Sequence, residues 1–200
     1  MPTPDSGRGP AARMQAAPPA IRKARLVQGH TLNLRNAEVG DAAFVHALRT
    51  DPVRAQHLTA VPPQVQAQQQ WLREYAGSRD QAYFIVTDKP GRPLGTVRLY
   101  GARGRAFGWG SWLLMAGLPA RCGIESALMV YRYALLLGFD SAWFEVRQAN
   151  VSVWRFHENF GAVRTGADLA HYHYELSPAA LQAALQKYRR YLPDGVRVDF

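Results

Sequence analysis

The chain has 200 residues, 48% of them hydrophobic and 11% aromatic, enough to bury one sizeable core and too apolar for wholesale disorder. Its 24 Lys and Arg against 15 Asp and Glu leave a formal charge of +9, which attracts anions without choosing among nucleic acid, an acidic surface and a phosphorylated small molecule. The longest apolar stretches, around Trp112 to Ala116 and Leu135 to Leu137, fall far short of the roughly 20 residues of a spanning helix. No continuous apolar stretch marks a secretory signal, and a lone cysteine, Cys122, cannot close an intramolecular disulfide. The expectation is a cytoplasmic protein with no membrane attachment.

Residues 1–23 mix Pro, Gly, Ala and Arg without apolar periodicity and are expected to form a flexible tail, leaving 24–200 as a single domain. Thr31-Leu32-Asn33-Leu34-Arg35 alternates like a strand, and Asp41 is placed to cap a helix running through Leu48. Asp51-Pro52 interrupts that helix, and Pro62-Pro63 precedes a Gln-rich helix reaching Tyr75, with Gly77 as its stop. Ala82 to Thr87 and Leu94 to Tyr100 flank the turn tetrad Asp88-Lys89-Pro90-Gly91 and read as a hairpin. Ala106 to Met115 follows another turn, at Gly101 to Gly104, and extends the hairpin into an antiparallel meander. The period then changes: Ile124, Ala127, Leu128, Tyr131 and Leu135 recur at helical spacing up to Gly138. Ser141 to Arg147 is a strand, Val151 to Asn159 a short helix closed by Gly161, His171 to Leu176 a strand, and Ser177-Pro178 opens a terminal helix carrying Leu181, Leu185 and Tyr188. The order predicts an α/β chain with both antiparallel and parallel strand pairs. The cations are scattered, with no dense basic run interleaved with aromatics, which argues against a nucleic-acid groove.

Over about Thr31 to Leu176 the sequence resembles the GNAT superfamily of acyl-CoA N-acyltransferases. The likeness rests on Leu34-Arg35 followed by Asp41, on Leu94-Gly95-Thr96-Val97, on Trp112 to Met115, and on Asn150, Val153, Phe156, His157 and Gly161, which keep the spacing of the family's asparagine-started helix. Gly110-Ser111-Trp112, Glu125-Ser126-Ala127 and Trp154-Arg155-Phe156-His157 further resemble the amino-sugar acetyltransferase branch. The resemblance implies a mixed, mostly antiparallel sheet with helices on both faces, splayed at the cofactor site. It implies acetyl-CoA as co-substrate, no metal, and a small primary amine as acceptor, anionic acceptors and nucleotide-linked amino sugars included. An acceptor on a protein, a ligand-binding domain without turnover, and a homodimer remain open. The cofactor-binding positions it implies are Leu113, Met115, Arg121, Cys122, Gly123, Ile124, Asn150 and Phe156.

These positions suit the chemistry. A loop feeding a helix N-terminus holds a pyrophosphate because unpaired N–H groups and the helix dipole both favour negative charge. Leu118 to Ile124 is such a loop, with Gly123 allowing close backbone approach and Arg121 offering a bidentate contact. The phosphate loop departs from the family at Ala120 and Glu125, where a carboxylate either opposes the cofactor or turns away from it. Asn150 is a turn residue ending the strand, or a polar group that reaches the pantetheine arm or, as a catalytic residue, the reacting amide. His157 stands where the family often has a tyrosine that protonates the departing thiolate, and is otherwise structural. Glu145 is a candidate base for the attacking amine, or an exposed strand carboxylate. Backbone N–H groups near Met115 are expected to polarise the thioester carbonyl. Cys122 reads as a small buried thiol, His171 and His173 lack a wider ligand pattern, and Trp109 with Trp112 reads as core.

Overall fold

The computed structural model describes residues 17–53 and 56–200, so the first 16 residues of the expected tail lie outside the described residues. The remainder of that tail is not detached. Ile21 is buried, Lys23 donates to the Tyr75 carbonyl, and the Tyr133 hydroxyl donates to the Arg22 carbonyl, so packing begins upstream of the expected boundary at 24.

Among the described residues, nine strands form one sheet: β1 (Leu26–Gln28), β2 (Leu32–Asn36), β3 (Ala82–Asp88), β4 (Pro93–Arg103), β5 (Ala106–Leu114), β6 (Ser141–Arg147), β7 (Val163–Ala167), β8 (His171–Leu176) and β9 (Arg197–Asp199). Their order is β7-β8-β6-β5-β4-β3-β2-β1-β9. Every pair is antiparallel except β5 with β6. Five α-helices among the described residues accompany it: α1 (Ala42–Thr50), α2 (Val65–Gly77), α3 (Ala120–Leu136), α4 (Val151–Asn159) and α5 (Pro178–Lys187). None is long and apolar enough to cross a membrane.

Strand alternation sorts side chains to the two faces. On β3, Phe84 and Val86 join one core cluster with residues of α3 and α5, while Tyr83 and Ile85 join a second with Val45 of α1 and Leu72 of α2. Helices therefore cover both faces, as expected, and α3 is buried on most of its surface because it crosses the middle of the sheet. Asp41 does not cap α1 through its side chain. Its carboxylate instead accepts from the Arg35 guanidinium at 2.7 and 3.0 Å and from the Glu38 N–H at 2.8 Å, closing the 3₁₀ turn before the helix.

The parallel pair that joins the two halves of the sheet is short. Ala106 to Gly108 pair with Ser141 to Trp143, and beyond that the strands are not paired. Two local features account for the parting. Ser111 adopts φ 48°, a left-handed conformation costly for a residue with a Cβ, at an irregularity in the β4–β5 register. An aromatic wedge also packs between the strands: Trp109 and Trp112 from β5, Phe144 from β6, and Phe156 and His157 from α4, with centroid separations of 4.9 Å for Trp112–Phe156 and 4.1 Å for Phe144–His157. The sheet is splayed between β5 and β6.

Candidate functional site

Two cavities border neighbouring residues of β5 beside this fork. One, of about 500 Å³, is bordered by Trp112, Leu113 and Leu114 on β5 and by Asn150 to Val153 at the start of α4. The other, of about 550 Å³, lies on the α1–α2 face and reaches Ser111. Adjacent residues of the strained β5 segment thus line different cavities.

The first cavity has the polar groups an extended amide-bearing chain needs. The Met115 N–H donates to the Leu94 carbonyl at 2.8 Å, and the Ser111 carbonyl accepts from Thr96 Oγ1 at 2.8 Å, so odd-numbered backbone groups here face β4. By alternation, those of Trp112 and Leu114 face the unpaired side. The N–H of Met115 itself is therefore already engaged, and the free strand groups near it are those of Trp112 and Leu114. Gly95 makes this geometry possible, because a Cβ there would stand 2.2 Å from the Leu113 carbonyl oxygen.

The start of α3 lies beside the same strand: a Cβ on Gly123 would touch Trp112 and Leu114 at 3.6 and 3.9 Å. Backbone N–H groups of its first turn lack intrahelical acceptors. Arg121 is exposed and makes no ion pair among the described residues. Cys122 is buried, and burial pushes its thiol pKa up, which disfavours the thiolate. Ile124 packs against the core. Glu125 is resolved by the fold: 2% exposed, it accepts from the Thr31 N–H at 2.6 Å, the Thr31 hydroxyl at 2.5 Å and the Leu32 N–H at 2.9 Å. Its charge is turned away from the helix N-terminus and ties the β1–β2 turn to α3.

The remaining sequence candidates divide. Leu113 and Asn150 line the first cavity, and Asn150 Oδ1 accepts from the Ser152 hydroxyl at 3.3 Å rather than capping α4. Phe156 supports Trp112 from beneath, and Met115 is exposed just past the strand end. His157 is a member of the aromatic wedge. It is 4% exposed, its Nδ1 has no hydrogen-bond partner, and burial lowers its pKa to about 3, so the imidazole is neutral near pH 7. Glu145 lines neither cavity; its carboxylate lies 3.4 Å from His173 Nδ1 on the exposed side of β6. Trp109 is buried as core.

The second cavity was not foreseen. Arg49 from α1, Trp71 and Glu74 from α2, Tyr83 from β3 and Arg98 from β4 border it. These residues come from elements far apart in sequence and form no motif. The available signal was Arg98, which shares a strand face with Thr96 and Tyr100 and so points under the helices rather than along the sheet edge.

A family model described as an acetyltransferase (GNAT) domain matches residues 31–163. Among solved structures, the chain is similar to apo FdhC, described as a nucleotide-linked sugar GNAT, at 31% identity and a TM-score of 0.74, covering 82% of this chain and 97% of that one. A probable GNAT-family acetyltransferase from Chromobacterium violaceum shares the fold at 16% identity and a TM-score of 0.73, covering 90% of this chain and 100% of that one. So does a spermidine N-acetyltransferase from Vibrio cholerae, determined with CoA and spermine, at 15% identity and a TM-score of 0.67, covering 76% and 98%. A search of curated protein sequences returned no match.

Proposed function

Because the chain belongs to the GNAT acetyltransferase family, we propose that it transfers an acetyl group from acetyl-CoA to the primary amine of an amino sugar or nucleotide-linked amino sugar. The observation that carries this reading is that adjacent residues Ser111 and Trp112 border two cavities, one lined by the β5 strand backbone and the other by polar side chains. The sugar assignment is supported by the 31% identity to a nucleotide-linked sugar GNAT over most of both chains.

The residues present fit a coenzyme A ester. Backbone groups of Trp112 and Leu114 and the Asn150 side chain are available to hold the pantetheine amides, and the first turn of α3 with Arg121 is available to the pyrophosphate. With Glu125 held by Thr31 and Leu32, no like charge opposes the phosphates at that turn. Bound there, acetyl-CoA supplies an acyl group activated as a thioester. The chain's part is to hold the amine against that group and to present N–H donors where negative charge develops, which lowers the barrier through orientation and fixed dipoles. The amine must also lose a proton. Glu74 is the carboxylate among the residues lining the acceptor cavity, and we assign the role of base to it rather than to Glu145. His157, neutral within the wedge, serves to prop the fork.

Release of free coenzyme A thiol, measured with acetyl-CoA and a panel of amino sugars, nucleotide-linked amino sugars, polyamines and peptides, tests the reading. Turnover favouring the sugars is expected. Turnover favouring polyamines or peptides would overturn the acceptor assignment, and failure to bind acetyl-CoA would overturn the activity.

A further inference from the structure

Among the described residues, two guanidinium groups line the acceptor cavity, and neither is paired with a carboxylate. Arg49 donates to the Thr59 carbonyl at 3.1 Å, and Arg98 lies over the rings of Trp71 and Tyr100, 5.6 and 4.7 Å from their centroids. Neither makes an ion pair among the described residues. The Nε atom of each is buried without a hydrogen-bond partner. The one carboxylate lining the cavity, Glu74, is exposed at the rim, where it accepts from Gln70 Nε2 at 3.0 Å.

Like charges sharing a partly desolvated cavity repel, and buried donors without acceptors are rare in folded proteins. Both costs are relieved by an oxyanion, whose oxygens match the planar fork of a guanidinium. The aromatic rings that flank Arg98 hold its side chain in place and so reduce the freedom lost on binding. We propose that Arg49 and Arg98 form an oxyanion subsite, so that the acceptor amine carries a phosphate or carboxylate group read by this pair. The proposal rests on the acetyltransferase reading and narrows it: acceptors bearing only amines or hydroxyls leave the pair unanswered, and polycations are repelled by it.

Calorimetric titration of the full-length protein, first saturated with coenzyme A so that the cofactor groove is filled, tests this with inorganic pyrophosphate, phosphate and acetate as probes. Saturable binding of at least one probe is expected, weakened at least tenfold by Arg49→Gln and by Arg98→Gln. Arg105→Gln removes the same charge from an exposed site paired with Asp140 and should leave the affinity within about twofold. Binding restricted to the phosphates assigns a phosphorylated acceptor, and binding of acetate as well extends the class to carboxylates. If Arg98→Gln fails to fold, Arg98→Lys keeps the charge and stem while losing the fork, and the same weakening is expected of it. Absence of saturable binding, or equal weakening by Arg105→Gln, would overturn the subsite. Failure of coenzyme A itself to bind would instead indict the acetyltransferase reading.

Discussion

At the scale of single residues, the same carboxylate that departs from the family's phosphate loop is part of the scaffold. Three donors converge on Glu125, and hydrogen bonds to a buried charge contribute about 1.5–3 kcal/mol each without adding fully. Glu125→Ala is therefore expected to cost about 2–4 kcal/mol in urea denaturation and to leave coenzyme A affinity no tighter. A severalfold tighter complex would show that the carboxylate does oppose the phosphates. The sequence shows that a charge lies in the first turns of α3, but not where it points, because its partners Thr31 and Leu32 are more than 90 residues away.

His157 gives a second test at this scale. Its pKa is about 3 in the fold against an ordinary 6.5, so the unfolded chain binds its proton more readily. Its contribution to stability is then complete above pH 6.5 and is lost as the pH falls towards 3. The drop in urea midpoint between pH 7 and pH 4.5 should be smaller for His157→Leu than for the wild type. An equal drop would place the imidazole in a polar setting and restore it as a proton donor.

At the scale of elements, what was legible followed from periodicity and punctuation. The β3–β4–β5 meander, α3 up to Gly138 and α4 up to Gly161 all carry a clear repeat ended by a residue suited to positive φ. The missed strands β1, β7 and β9 are short; β7 is exposed along its whole length, and three residues in β1 and in β9 are too few to show alternation. β9 is a strand because it pairs with β1 across the length of the chain, a contact no local pattern encodes. The fork was legible as a family feature, whereas its local causes, left-handed Ser111 at the register shift between Thr96 and Arg98 and the aromatic wedge, were not. Gly95, in the second pair beyond that shift, lets β5 lie close to β4. A methyl group 2.2 Å from the Leu113 carbonyl cannot be accommodated without moving β5. Gly95→Ala is therefore expected to weaken acetyl-CoA binding at least tenfold by calorimetry while the protein remains folded by circular dichroism. Unchanged affinity would mean that the local geometry of β5 is not what holds the ligand.

At the scale of the whole molecule, the +9 charge takes on a more specific meaning. Arg121 lies at the start of α3 near one cavity, and Arg49 with Arg98 lines the other, so on the proposed reading part of the excess lies beside the two substrate sites. Many other cations are exposed and set only a background attraction, which salt screens over about 10 Å at 0.1 M. Raising salt should accordingly lower the association rate more than it raises the dissociation rate, a difference that stopped-flow rates at two ionic strengths would reveal.

The central claim is that the parted strands β5 and β6 hold the acyl donor. Backbone amide exchange with and without acetyl-CoA addresses it most directly, since unpaired strand and helix-start amides become protected when they acquire acceptors. Protection is expected at Trp112 and Leu114 and in the first turn of α3, with Met115, already bonded to Leu94, little changed. No protection on adding acetyl-CoA, or protection confined to the exposed β7–β8 edge, would contradict the account.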